Sequence, residues 1–173
     1  HELCQETNDY LIASAGHYPD RLTAFCAVNP AMGDAAVLEI ERCGRLGAKG
    51  IGELHPDYQG FDIGDQSLMA PVMEAAARYC MPLLTHASEP VGHVYPGKGL
   101  VTPAVLYRFI ENFPEALIIL AHWGGGLPFY ALMPEVRRAM GNVLFDTAAS
   151  PFLYEDQIVE QVVDLVGAEK VLF

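Results

Sequence analysis

The chain has 173 residues, 51% of them hydrophobic, which is enough apolar mass to close a core within one domain. Its formal net charge of −12 argues against a nucleic-acid or anionic-membrane partner, since both call for a basic face. No apolar run approaches the length of a bilayer span, and no basic-then-apolar order marks a signal peptide, so a cytoplasmic protein is expected.

In chain order, the first apolar run is Leu22 to Val28, followed by Asn29-Pro30. Asp34 then caps a helix carrying Val37, Leu38 and Ile40 that closes near Gly44 or Gly47. Gly50 to Leu54 is the second run, and Ser67 opens a helix through Met69, Met73 and Ala77 to Tyr79. Pro82 to Thr85 follows. Thr102-Pro103 is a strong helix start, a capping hydroxyl with proline at the first helical position, and Pro114 stops that helix soon after Asn112. Leu117 to Ala121 is the fourth run. A helix over Leu127 to Met140, interrupted at Pro134, leads to Val143 to Phe145; another over Glu155 to Val166, ended by Gly167, leads to Val171 to Phe173.

The apolar runs are short and lack clean alternation, as parallel strands do when both faces are covered. Strand and helix alternate with a repeat of roughly 25 to 35 residues, the size of a βα unit. Alternation of this kind predicts a parallel sheet, either open and doubly wound or closed into a (β/α)8 barrel. A nucleotide-binding open sheet would show a glycine fingerprint after its first strand; Asn29-Pro30 stands there instead, and Gly124 to Gly126 lacks the fingerprint spacing. The fold class expected is therefore α/β, an incomplete TIM barrel with about six of eight βα units, residues 1–173 forming one partial barrel domain. The four cysteines, Cys4, Cys26, Cys43 and Cys80, form no C-x-x-C pair and read as free, mostly buried thiols of a reducing compartment.

In a barrel the carboxyl ends of the strands face the active site. Four successive runs end in Glu53, His86, His122 and Asp146. Imidazoles and carboxylates are the usual ligands of Zn²⁺, Mn²⁺ and Fe²⁺, and such an ion lowers the pKa of a bound water toward neutrality. Each residue also has a plainer reading. A histidine at a strand end can simply hydrogen-bond at the rim, Glu53 can pair with Lys49, and Asp146 can order the turn that follows it. The stretch "ASEPVGHVYPGKG" after His86 is a long polar loop in which His93 and Lys98 can meet an anionic substrate group. His55, in the turn before Pro56-Asp57, can line the same mouth, and Trp123 can wall it or pack beneath it. His1 and His17 have no supporting context.

The stretches "LLTHASEPVGHVYPGKG", "LIILAHWGGGLPFY", "NVLFDTAAS" and "GAEKVLF" resemble the amidohydrolase-related metal-dependent hydrolases, and within them the aminocarboxymuconate-semialdehyde decarboxylase-like branch. The resemblance runs from Arg21 to the end of the chain. It implies a distorted (β/α)8 barrel with one or two divalent metals, Zn first and Mn or Fe as alternatives. In that register His86 is the fifth-strand metal ligand. His122 is the sixth-strand histidine, a ligand or a general acid/base. Glu53 stands where members with two metals carry a bridging ligand. The family's H-x-H pair is absent, and its Gly-Ser-Asp would follow Phe173. The chain is therefore expected to be a fragment, inactive alone, with those ligands outside it. The resemblance implies first a hydrolase that attacks an amide, ester or lactone of a small molecule with a metal-activated water. The alternative is a non-oxidative decarboxylase of a small carboxylated substrate, and the third reading is an inactive fragment or metal-free binding module. A small-molecule partner is expected in each catalytic case, and a homodimer is the assembly left open.

Overall fold

The computed structural model describes residues 2–173. The chain divides into two compact units, one ending at Leu84 and the other running over Thr85–Phe173. Each is described by itself.

The first unit holds α1 (Glu2–His17), β1 (Phe25–Cys26), α2 (Asp34–Leu46), β2 (Gly50–Leu54), α3 (Pro56–Gln59), α4 (Gln66–Arg78) and the start of β3 (Leu83–Thr85). β1 and β2 are parallel, with Phe25 opposite Gly50 and Cys26 opposite Ile51. The Ile51 N–H donates to the Pro82 carbonyl at 2.9 Å, which brings the next strand against β2. Ile51 and Leu54 are fully buried, as expected for a strand covered on both faces.

The local signals act much as the sequence suggested. Gly47, left-handed at φ 102°, closes α2 by donating to the carbonyls of Cys43 and Gly44. Asp34 is the first residue of α2 rather than its cap, where its charge suits the helix dipole. α4 is capped by Asp65, whose carboxylate accepts from the Ser67 and Leu68 amides, so it starts one residue before Ser67.

Three features differ from the sequence reading. The first strand shrinks to Phe25–Cys26. Cys80 is exposed, in a left-handed turn at φ 53°, rather than buried; Cys26 and Cys43 are buried. Helix α1 carries no apolar stripe that periodicity could reveal, with Leu3 and Tyr10 exposed. It is fastened instead by a buried amide, beside an ion pair of Asp9 with Arg42 at 2.6 Å. Asn8 donates to the Ala27 carbonyl at 3.0 Å and to Glu39 Oε1 at 2.7 Å, and accepts from the Ala27 N–H at 2.7 Å. The Arg42 guanidinium hydrogen-bonded to Glu39 holds that carboxyl down to about 2, against the opposing effect of burial.

The second unit holds the end of β3, α5 (Pro103–Asn112), β4 (Ile118–Leu120), a chain of tight turns over His122–Leu132, α6 (Pro134–Ala139), β5 (Val143–Asp146), α7 (Ser150–Leu153), α8 (Ile158–Val166) and β6 (Val171–Leu172). The Ala121 N–H donates to the Thr85 carbonyl at 3.0 Å. β4 and β5 are parallel, with Ile119 opposite Leu144, and β5 and β6 are parallel, with Phe145 opposite Val171. Leu106, Phe109, Ile118, Leu120, Phe145 and Val162 fill the core between sheet and helices.

The helix expected over Leu127–Met140 with an interruption at Pro134 is present only after that proline, as the six-residue α6, and tight turns stand before it. Pro128 and Pro134 lack the amides a helix needs, and Met133, before a proline, is extended at φ −85°, ψ 117°. The helix expected from Glu155 begins only at Ile158. Across the chain the strand order is β1-β2-β3-β4-β5-β6, a six-stranded parallel sheet in sequence order. Among the described residues, no helix is long and apolar enough to cross a membrane.

Candidate metal centre

His86 is the first residue past β3, and His122 is the second past β4. His86 is buried. Its Nε2 lies 3.0 Å from the Gly97 carbonyl oxygen and 3.3 Å from Ser88 Oγ. A carbonyl oxygen only accepts, so Nε2 carries the proton and Nδ1 the lone pair. His122 is arranged the other way round. Its Nδ1 lies 3.1 Å from the Ala148 carbonyl oxygen, which assigns the proton to Nδ1 and the lone pair to Nε2. The two rings meet edge to face with centroids 4.9 Å apart and planes at 72°. Their ligand nitrogens lie within 4.8 Å of one another. Main-chain carbonyls thus fix each tautomer and ring orientation, a common device around metal-binding histidines.

Asp146 ends β5 and holds the far side of His122. Its Oδ1 accepts from the His122 amide at 2.9 Å and from the Ala148 amide at 3.0 Å. The same carboxylate oxygen orders the turn after β5 and anchors the backbone that carries the imidazole.

The backbone after β4 turns left-handed for five residues, with φ 55° at His122, 58° at Trp123, 58° at Gly124, 60° at Gly125 and 93° at Gly126. Side chains at the first two positions cost on the order of 1–2 kcal/mol each, a cost that glycine avoids at the next three. A Cβ on Gly125 would come within 2.4 Å of the Ser88 carbonyl oxygen, so this turn lies directly against the loop after β3. Trp123 is fully buried beneath it, donating from Nε1 to Ser150 Oγ at 2.7 Å.

His86 and His122 open into a cavity of about 470 Å³ whose other walls include His93, Tyr95, Pro96, Phe152 and Leu153. His93 therefore joins the two strand-end histidines, whereas Trp123 and Lys98 stay out of the cavity lining. The Lys98 ammonium donates to the carbonyls of Val91 at 2.6 Å and His93 at 3.0 Å, tying its own loop. Glu89 in that loop accepts from the Tyr95 hydroxyl at 2.8 Å and from the Tyr154 hydroxyl at 3.0 Å. Burial, with the Glu89 carboxylate adding to it, pushes the Tyr95 hydroxyl up to about 12 and raises Tyr154 likewise. Both therefore stay protonated donors at neutral pH. Glu53 and His55 belong to the first unit. Glu53 is exposed on β2, and His55, just before α3, packs its ring edge to face against Tyr58 with centroids 4.4 Å apart. Phe152, Leu153 and Tyr154 carry no motif, and the sequence reading passed over them.

Parallel strands with helices between them and imidazoles at the strand ends define an α/β barrel architecture with a candidate metal centre at the carboxyl ends of its strands. The Amidohydrolase family model matches residues 1–173, and the chain belongs to that family. Among solved structures, the chain is similar to 5-carboxyvanillate decarboxylase from Sphingomonas paucimobilis, with 18% identity and a TM-score of 0.75 over 99% of this chain and 61% of that one. It is similar to 2,6-dihydroxybenzoate decarboxylase from Rhizobium, with 23% identity and a TM-score of 0.66 over 99% and 65%. It is similar also to the 5-carboxyvanillate decarboxylase of Novosphingobium aromaticivorans complexed with manganese and 4-hydroxy-3-methoxy-5-nitrobenzoic acid, with 21% identity and a TM-score of 0.71 over 99% and 58%. The chain thus spans about three fifths of the length of these neighbours. Its six strands and their helices form an incomplete (β/α)8 barrel.

Proposed function

We propose that the protein carrying this chain is a metal-dependent, non-oxidative decarboxylase of small aromatic carboxylates. The observation that carries the proposal is the pairing of His86 and His122 in one cavity, each with its lone-pair nitrogen set by a main-chain carbonyl. Decarboxylation is preferred to hydrolysis because several structural neighbours, among them 5-carboxyvanillate and 2,6-dihydroxybenzoate decarboxylases, are decarboxylases of aromatic acids. Tyr95, Pro96, Phe152 and Leu153 give the cavity apolar walls that suit a flat ring.

In this proposal His86 would hold a divalent cation through Nδ1, the nitrogen left free by the Gly97 carbonyl. When bound, the cation supplies a positive centre that orients the substrate carboxylate and draws electron density from the ring. An imidazole ligand suits Zn²⁺ and Mn²⁺ alike, and the manganese in the Novosphingobium neighbour makes Mn²⁺ the second ion to test beside Zn²⁺. His122 in its protonated form stands ready to deliver a proton from Nε2 to the ring carbon that loses the carboxylate. The C–C electron pair stays on that carbon and takes the proton as CO₂ departs, so no oxidant or reductant is needed. His93 lines the same cavity and can meet an anionic substrate group, and the apolar walls can pack against a ring.

A cytoplasmic location and a homodimeric assembly are part of the proposal; the free thiols of the four cysteines support the former. The test compares CO₂ release from aromatic acids with hydrolysis of aryl lactones by the intact protein. CO₂ release without lactone opening is expected, together with stoichiometric metal that disappears in His86→Ala. Lactone hydrolysis alone, or a wild-type protein free of metal, would overturn the reading.

A further inference from the structure

A second cavity of about 270 Å³ lies in the same unit, bounded by Glu89, Val91, Gly125, Phe129, Tyr130 and Tyr154 among others. Three short segments line both cavities. The loop after β3 gives His86 to the first and Glu89 to the second; the left-handed turn gives His122 to the first and Gly125 to the second; the end of α7 gives Leu153 to the first and the next residue, Tyr154, to the second. The two cavities therefore draw on adjoining residues of the same three segments, and a hydrogen-bonded chain of side chains runs from the lining of one to the lining of the other. Tyr95, on the first cavity, donates to Glu89 Oε2 at 2.8 Å, and Tyr154, on the second, donates to Glu89 Oε1 at 3.0 Å. Both carboxylate oxygens are engaged by phenols, and each phenol is anchored on a different segment of chain.

Resting on the proposed function, we propose that Glu89 is a specificity-determining residue: clamped between Tyr95 and Tyr154, it closes the histidine cavity against the second cavity and limits substrates to a single ring. The clamp also orients the ligand. Glu89 presents negative charge at the far end, so a substrate carboxylate is directed toward the histidines and its apolar end toward the partition. The second cavity, with Val91, Phe129 and Tyr130 on its walls, is chemically suited to an apolar ring once the partition is removed.

The test measures binding of benzoate and biphenyl-4-carboxylate to the intact, metal-loaded protein by titration calorimetry. Wild type should prefer benzoate. Glu89→Ala removes the partition and should raise the biphenyl-to-benzoate affinity ratio by about tenfold or more, the change expected from burying part of a second ring. Glu89→Gln keeps the reach and can still accept from one tyrosine, so its ratio should stay within about threefold of wild type. If Glu89→Ala does not fold, as judged by its melting transition, Glu89→Ser shortens the side chain while keeping a hydroxyl acceptor and should shift the ratio in the same direction. An unchanged ratio in a folded shortened variant, or no binding of either acid, overturns the proposal. Failure of the decarboxylase reading shows separately, as absent CO₂ release, because the affinity ratio needs no turnover.

Discussion

His122 combines two demands that rarely meet in one residue. Its imidazole is set by the Ala148 carbonyl, and its own backbone is left-handed, tied by its amide to Asp146. In the proposed mechanism it moves the proton, and a positioned general acid is worth about 10²–10⁴-fold. His122→Gln should therefore lower CO₂ release by about a hundredfold or more while metal content stays at the wild-type level, read by elemental analysis of the same sample. Loss of the metal along with the activity would instead make His122 a ligand. The neighbouring glycine gives a stability prediction. Gly125→Ala combines a left-handed backbone with a Cβ pressed 2.4 Å from the Ser88 carbonyl oxygen, two fixed main-chain positions that cannot both relax. A loss of about 2–4 kcal/mol is expected in denaturant unfolding; a loss below about 0.5 kcal/mol would show that the turn yields. The sequence exposed the strand end and the glycines here, because an apolar run followed by histidine is a local pattern. It gave no sign that His122 and Trp123 themselves turn left-handed, since L-residues seldom do so and the groups that tie them there include Asp146, Ala148 and Ser150, more than twenty residues on.

The same division between local and distant causes governs the elements. α2, α4 and α5 were legible because their signals lie within a few residues: Gly47 after one, the Asp65-Ser67 start of the next, Thr102-Pro103 before the third. α1 was not, because its anchor is Asn8, whose partners Ala27 and Glu39 are 19 and 31 residues away. The segment Leu127–Met140 is helical only after the break at Pro134; before it the apolar content resembles a helix face, but Pro128 and the left-handed turn keep the chain in tight turns. The α1 anchor carries a pH prediction. Glu39 is held down to about 2 by its hydrogen bond from Arg42, so its folded pKa lies below the unfolded range of roughly 4.3. Its contribution to stability is thus fully present above that range and is lost as pH falls toward about 2. Wild type should lose stability progressively between these limits, and Glu39→Gln should flatten that limb of the curve in urea titrations. An equally steep limb in the variant would assign the acid sensitivity to other carboxylates. Asn8→Ala should cost about 1–3 kcal/mol at neutral pH, since it strips partners from buried polar groups.

At the scale of the molecule, the barrel and the strand-end pattern were readable because they repeat. The cavity walls from Phe152 to Tyr154 were not, because nothing in their spacing distinguishes them from any turn-and-helix segment. The whole-chain charge also bears on how a bound cation should be detected. With a net charge of −12, any added cation relieves self-repulsion to some degree, so a rise in melting temperature on adding Mn²⁺ is not by itself a sign of a site. Specific binding has a different concentration dependence. A ligand at about a hundred times its Kd stabilises the folded state by about 2.7 kcal/mol. For a domain of this size that corresponds to a shift of roughly 5–10 °C, growing with the logarithm of concentration. Screening acts equally on any variant of the same charge and is reproduced by matched ionic strength. His86→Ala leaves the formal charge unchanged while removing the proposed ligand. Melting curves of the intact protein with Mn²⁺ or Zn²⁺, at constant ionic strength, should therefore rise logarithmically for wild type and stay flat for His86→Ala. Parallel rises in the two proteins would place the stabilisation on the acidic surface instead of at the histidine pair.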